Sequence, residues 1–546
     1  MSIDSLSHNV LSFARPRTGS ITLAIFGTIY LIAVSNRTFW TRAFSDFDSH
    51  LALAAFGLGL TCLFCAITVA LSVKYLLKPL LVFLFLSAAA ASWFMDGFGT
   101  IIDVDMIRNA VQTTPSEAGH LITLPFMLHM GIFGLVPSLL VCWIRIEHRA
   151  FFAKLRWNLL AVSLLLLVSL ACAVSSARSI AAVTRLNKDL LLTLNPILPI
   201  GNAIAFGLAS EADKHIVLQP LGTDAHIGVS NRSGKPRVLV IVTGETARAE
   251  NFSLSGYARL TNPELSQLDI TYFSDTSSCG TATSVSVPCM FSNLTRAGYS
   301  HRAGLANENL LDVLGHAGIR TEWWDNNTGS KGVADRTTTR SFSKADDPRY
   351  CTNSECLDEG MVAQLDSWLA SVRGDTVLVL HQLGSHGPTY YQRYPAGFAH
   401  FKPECRTGVL GTCSREEVVN AYDNTILYTD HILASVIKAL KARQGSIDPA
   451  MIYMSDHGES LGEHGLYLHG APYFLAPSQQ THVPFVLWQG SEMKAVVDSS
   501  CLDNRASEPA SHDNLFHTAL GLMAVRTSVY EPALDVLSAC RREATS

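Results

Sequence analysis

Long apolar runs dominate the first third of the chain, and short ones the rest. The long runs lie at Ser20–Val34, Leu51–Val73, Leu80–Phe94, Leu121–Trp143 and Trp157–Val174. A helix needs about 20 apolar residues to cross about 30 Å of hydrocarbon, and flanking residues extend the two shorter runs toward that length. Five transmembrane helices are therefore predicted. The first run lacks a small-residue cleavage site and others follow it, which argues against a cleaved signal peptide. Between Arg178 and Ala212 apolar residues are interrupted by Arg185, Asp189, Asn195 and Pro196. That segment is too broken to span and reads as a connector of helices on the membrane surface.

From about Pro236 the pattern changes to short β-rich runs, at Arg237–Thr243, Arg320–Trp324, Thr376–Gln382, Met451–Ser455 and Val483–Gln489. Helical patterns at Leu310–Ala317, Met361–Val372 and Val418–Ala442 alternate with them. Such alternation predicts a mainly parallel sheet covered by helices. The expected division is a membrane domain over residues 1–176, a bridging segment over 177–235 and a soluble domain over 236–546.

Composition agrees with a membrane protein: charged residues are 16 % of 546, and mean hydropathy is +0.22. With the amino terminus in the cytoplasm, Arg15, Arg17, Lys74, Lys78, Arg145, Arg149, Lys154 and Arg156 fall on one side, and only Arg37, Arg42 and Arg108 in the opposite loops. The positive-inside rule selects that orientation and, with an odd number of spans, puts the soluble domain outside. Cysteines agree. Cys279/Cys289, Cys351/Cys356 and Cys405/Cys413 are close-spaced pairs in polar sequence, which suits disulfides in an oxidising periplasm, with metal thiolates the alternative. Cys501 and Cys540 are left over.

Candidate chemistry begins at Ser455-Asp456-His457-Gly458-Glu459-Ser460, directly after the apolar run Ala450–Met454. An Asp-His pair at the carboxyl end of a buried strand sits where open α/β sheets gather ligands. Neighbouring strand residues point to opposite faces, so the two share a metal only if the chain leaves the sheet there, a departure Gly458 permits. Glu245 follows another apolar strand, and its bland reading is a turn carboxylate. Thr281, beyond Gly280 and before a likely helix, is either an N-cap or a nucleophile favoured by exposed amides and a nearby metal. In the loop between the third and fourth spans, Asn109, Thr113 and Glu117 at intervals of four would share one face of a short helix.

Five ordered stretches carry a resemblance over nearly the whole chain. They are Gly244-Glu245-Thr246-Ala247-Arg248, the eleven residues from Cys279 to Cys289, Trp324-Asp325-Asn326-Asn327, His381-Gln382-Leu383-Gly384-Ser385-His386-Gly387-Pro388, and Ser455 to Glu463. The sequence resembles the lipid A phosphoethanolamine transferases, which include the mobile colistin-resistance enzymes. The resemblance implies a five-helix membrane domain followed by an α/β alkaline-phosphatase/sulfatase-like periplasmic domain, anchored in the bacterial inner membrane. It implies a zinc ion held by Glu245, Thr281, Asp456 and His457, with Thr281 as nucleophile. His386 and His469 correspond to histidines near the substrate phosphate, which hold a second zinc in some members. Asn109, Thr113, Glu117, Asn327, Thr328 and Lys331 correspond to contacts with the donor, phosphatidylethanolamine. Lipid A is the expected acceptor and a monomer the expected state; nucleic acid is not a partner.

One departure stands out. Family members often carry cysteines on either side of Lys-Gly-Val, where this chain has Ser330 and Ala334. The absent bridge leaves that loop without a covalent tie and Cys501 with Cys540 as a candidate pair elsewhere. The Cys-x-Pro-x-Arg pattern of sulfatases is missing at Cys279, which argues against sulfate-ester hydrolysis. Competing readings are a phosphoglycerol transferase or hydrolase on the same fold, transfer to core sugars or another envelope acceptor, and a non-enzymatic periplasmic scaffold with a structural zinc.

Overall fold

A computed structural model describes residues 15–147, 149–187, 189–228, 234–342, 348–352 and 355–542. By packing, the chain falls into two compact units. One comprises residues 1–97 and 124–201, the other 98–123 and 202–546. The segment between the third and fourth apolar runs thus packs with the carboxyl-terminal unit.

Within the first unit, His50–Ala70, Leu77–Phe98, Leu124–Trp143 and Phe151–Ser175 are long and apolar enough to cross a membrane. The first predicted span, Ser20–Val34, is followed at 67° by the helix Arg37–Asp46, and the pair brings the number to five when counted as one span. Asn36 and Asn195 pin the bend. The Asn36 amide donates to the carbonyls of Leu31 and Asn195, and its oxygen accepts from the Asn195 backbone at 2.8 Å. Asn195 in turn donates to Ser35 and Ala88. Asn195, one of the polar interruptions of the connector, is therefore a structural tie, set between the helices Ala177–Leu186 and Ile197–Asp213.

The second unit is built on a seven-stranded sheet in the order 271–273, 485–489, 448–455, 237–244, 376–381, 320–325, 338–341. The five strands from 448–455 to 338–341 are mutually parallel, and 485–489 runs antiparallel to both its neighbours. All five predicted strands are present; the two edge strands were not anticipated. Alternation along Arg237–Gly244 divides the core. Leu239 and Ile241 pack with Leu515, Phe516 and Leu520 on one face. Val238, Val240 and Val242 pack on the other with residues of the helix Arg415–Ala442, among them Tyr422, Ile426 and Leu433. Burial on both faces is what a central parallel strand requires. Disulfides join Cys279–Cys289, Cys351–Cys356, Cys405–Cys413 and Cys501–Cys540.

Candidate metal centre and nucleophile

Ser455 pairs with Gly244 at the carboxyl ends of two adjacent parallel strands, so the residues that follow, Asp456 and Glu245, emerge side by side. Glu245, Asp456 and His457 are buried, and one ligand atom from each lies within 4.8 Å of the others. The strand ends at Ser455, which frees Asp456 and His457 from strand alternation. Gly458 is needed there for space rather than for conformational freedom, because a Cβ on it would lie 2.0 Å from the Gln479 carbonyl oxygen.

The donor set fits a cation. His457 Nδ1 lies 2.9 Å from the Gly458 carbonyl, an acceptor, so Nδ1 carries the proton and Nε2 presents its lone pair to the carboxylates, 3.3 Å from Asp456 and 3.5 Å from Glu245. Asp456 Oδ1 accepts from the amides of Thr246 and His457, while buried Oδ2 has no hydrogen-bond partner. Burial and the adjacent Glu245 carboxylate push Asp456 above the usual carboxylate range. Burial also works to raise Glu245, but the neighbouring imidazoles of His457, His386 and His469 and the Thr246 hydroxyl hold it below that range. Two buried carboxylates this close ionise together only beside a strong positive charge, which a divalent ion would supply.

Thr246, which carries the short bond to Glu245, has φ of 58°, a left-handed conformation costly for a β-branched residue. Glu245 Oε2 accepts from Thr283 at 3.1 Å and from Asn327 at 2.7 Å. Asn327 also donates to the Gln382 carbonyl, so the double-asparagine motif braces the candidate ligand. Its neighbour Asn326 instead ties Cys356 and Asp358, and Asp358 accepts from Leu383 and Gly384 in the loop leading to His386.

Thr281 is not a helix cap. The helix Thr283–Met290 has Ala282 at its N-cap, and the Thr281 hydroxyl donates to the Ala471 carbonyl at 2.6 Å. The Thr281 carbonyl accepts from Gly470 at 2.8 Å, which links the threonine to the segment carrying His469. Two residues on, Thr283 contacts both Glu245 and, at 3.4 Å, His457. The His469 ring lies 4.3 Å from that of His457 and 5.6 Å from that of His386. Glu459, fully buried, accepts from His469 Nδ1 at 2.8 Å and from the Tyr390 hydroxyl, which fixes the His469 ring. The His386 carbonyl accepts from Arg393, which is paired in turn with Glu355.

The other expected contacts are placed less directly. Lys331, at φ 53°, donates to the Thr328 carbonyl at 2.9 Å, and the Thr328 amide donates to Asn327. Where the family bridge is missing, Ser330 Oγ accepts from the Ala334 amide at 3.1 Å, so a hydrogen bond holds the turn. Asn109, Thr113 and Glu117 do not share one helix. The segment forms two, Val104–Gln112 and Pro115–Leu121, because Thr114 precedes a proline and is driven out of helical geometry. The Thr113 hydroxyl donates to the Asn109 carbonyl, and the Glu117 side chain lies outside the described residues.

Several residues here carried no signal in the sequence. His512, 1 % exposed, lies between the two halves of the site: Nδ1 accepts from the Cys279 amide at 3.0 Å and Nε2 donates to the Ser455 carbonyl at 2.9 Å. Burial lowers its pKa to about 4, consistent with a neutral ring in which each nitrogen has one role. Beside Thr281 is a cavity of about 260 Å³ lined by Asp103, Met106, Arg296, Tyr299 and Tyr473. The Arg296 guanidinium lies 3.7 Å over the Tyr473 ring.

Comparison with known proteins accords with this arrangement. Residues 237–525 match the sulfatase family model, and residues 60–209 match the phosphoethanolamine transferase EptA/EptB model. The chain is 41 % identical to phosphoethanolamine transferase EptA of Escherichia coli K12 over 86 % of its length and 87 % of the relative's. It is 38 % identical to phosphatidylethanolamine transferase Mcr-1 of Escherichia coli, over 84 % of this chain and 88 % of that one. Among solved structures, the integral membrane lipooligosaccharide phosphoethanolamine transferase A of Neisseria meningitidis superposes with a TM-score of 0.93 at 33 % identity, covering 96 % of this chain and all of the other.

Proposed function

The chain belongs to the phosphoethanolamine transferases of the bacterial inner membrane, with its soluble domain in the periplasm, and from that premise we propose that it transfers phosphoethanolamine from phosphatidylethanolamine to a phosphate of lipid A through a covalent intermediate on Thr281. The observation that carries this reading is the buried Glu245, Asp456 and His457 set, contacted by Thr283 two residues after Thr281, whose own hydroxyl is not used as a helix cap.

Glu245, Asp456, His457 and Thr281 would hold one zinc ion, matching its preference for four nitrogen and oxygen donors. When bound, zinc favours the ionised Thr281 oxygen and offsets negative charge on the phosphoryl oxygens. Thr281 Oγ1 attacks the donor phosphorus, the bond to the diacylglycerol oxygen breaks, and diacylglycerol leaves with a proton. His469, held by Glu459, is the group oriented to relay that proton. His386 and Lys331, which correspond to phosphate and donor contacts in the family, would supply positive charge where negative charge accumulates in the transition state. An oxygen of the lipid A phosphate then attacks the phosphothreonine, and Thr281 is regenerated. Splitting one displacement into two suits substrates that enter in turn from the same bilayer.

Adding an ammonium to lipid A offsets surface negative charge and weakens polymyxin binding, so expression in a susceptible Gram-negative host should raise polymyxin tolerance. The test is mass spectrometry of lipid A from cells expressing the protein or Thr281→Ala. One added phosphoethanolamine only with Thr281 present is the expected result. Unmodified lipid A with diacylglycerol still released would refute the acceptor assignment, and modification by Thr281→Ala would refute the nucleophile.

A further inference from the structure

A cavity of about 720 Å³ opens in the membrane unit between the residues preceding the first helix, the turn before Pro79 and the segment around Arg145. Four cations line it, Arg15, Arg17, Lys78 and Arg145, and no carboxylate does among the described residues. The nearest recorded counter-charge is Glu147, 3.9 Å from Arg17, in a pair with both side chains about two-thirds exposed, which stabilises little.

The backbone brings these charges together. The strand Arg17–Gly19 pairs in parallel with Arg145–Glu147, and the register sets Arg17 directly against Arg145. Two cations in register on neighbouring strands repel each other unless negative charge lies close by. Lys78 Nζ donates to the carbonyls of Cys142 and Ile144 at the end of the helix Leu124–Trp143, leaving one ammonium proton for a ligand. The positive-inside rule accounts for basic residues on this side, but not for their convergence on one cavity or for the arginine register.

The segment 98–123 packs within the periplasmic unit, so the far ends of the helices that flank it, near Leu77 and Trp143, lie at the cytoplasmic face. Basic pockets between helix ends at that depth match the headgroup level of the inner leaflet. We propose that this cavity binds an anionic phospholipid, with its phosphate between Arg17 and Arg145. Guanidinium pairs grip phosphate oxygens bidentately, and the apolar wall residues Leu77 and Ile146 suit a molecule that continues into acyl chain. This site is separate from the one at which the donor is consumed.

The full-length protein would be purified in neutral detergent, and its thermal midpoint measured with cardiolipin, phosphatidylglycerol, phosphatidylethanolamine or inorganic phosphate added. Retained lipid would be read by native mass spectrometry. Arg17→Gln and Arg145→Gln are made singly, since removing either relieves the opposition of charges and should not hinder folding. Cardiolipin or phosphatidylglycerol should raise the wild-type midpoint and phosphatidylethanolamine should not. Either variant should retain at least fivefold less anionic lipid while melting no lower than wild type in lipid-free detergent. Equal retention by wild type and both variants would overturn the proposal. An equal shift from inorganic phosphate alone would overturn the lipid assignment in favour of a soluble anion.

Discussion

Replacing His512 by phenylalanine tests how the loop of the proposed nucleophile is held against the strand that leads to the candidate metal ligands. The ring links the Cys279 amide to the Ser455 carbonyl, two residues before Thr281 and one before Asp456. Phenylalanine fills the same space but leaves a buried donor and a buried acceptor unpaired, each costing about 1–3 kcal/mol. Even the low end, about 2 kcal/mol in all, corresponds to about 30-fold in rate if the penalty falls on the arrangement that reacts. The assay is turnover of fluorescent phosphatidylethanolamine by full-length protein, with zinc content and thermal midpoint measured on the same samples. His512→Phe should lose about 30-fold or more in kcat, with smaller change in KM. His512→Gln, whose carboxamide offers one donor and one acceptor, should recover much of the loss. A His512→Phe enzyme with bound zinc and kcat within threefold of wild type would refute the reasoning.

Chelation of the metal should lower the thermal midpoint as well as activity, because it leaves two buried carboxylates facing each other; ligand at about a thousand times its Kd stabilises by about 4 kcal/mol, and readdition of zinc should restore both. An unchanged midpoint after verified zinc loss would count against the cluster. Gly458→Ala should destabilise the protein by about 3 kcal/mol, since the new methyl meets backbone that cannot swing aside, and a wild-type melting curve would exclude that. Burial opposes ionisation of Glu355, but His120 and Arg393 more than offset it and hold the carboxyl to about 2. With the folded pKa depressed, its contribution, about 1–2 kcal/mol once solvent screening of a partly exposed group is allowed for, is present above about pH 4 and lost as pH falls toward 2. Glu355→Gln should therefore flatten the acid limb of the stability profile, and an unaltered limb would remove Glu355 from the account.

Much of the catalytic unit was legible because its strands are apolar runs that end at the chemistry. Val238–Val242 leads into Glu245, and Ala450–Met454 into Asp456 and His457. The edge strands Thr271–Phe273 and Thr338–Ser341 were not, being only three and four residues long, the second wholly polar. The break between Asn109 and Glu117 had a signal, Thr114 before Pro115, which outweighs a spacing of four. His512 had none, because its role depends on two backbone groups that only the folded chain brings beside it. The consequence of losing the family's local disulfide was equally hidden, since a hydrogen bond from Ala334 to Ser330 closes the same turn without leaving a pattern in the sequence.

The gene order of the two units has an outcome for anyone who would study the enzyme without its membrane helices. Asp103 and Met106, which wall the cavity beside Thr281, and His120, which meets Glu355, are encoded upstream of the last two spans. A version cut after the final apolar helix would keep every candidate zinc ligand yet lose these three side chains. Its active centre would be open to water on one flank, and inhibitors ranked against it would be selected for a surface that the whole enzyme does not present.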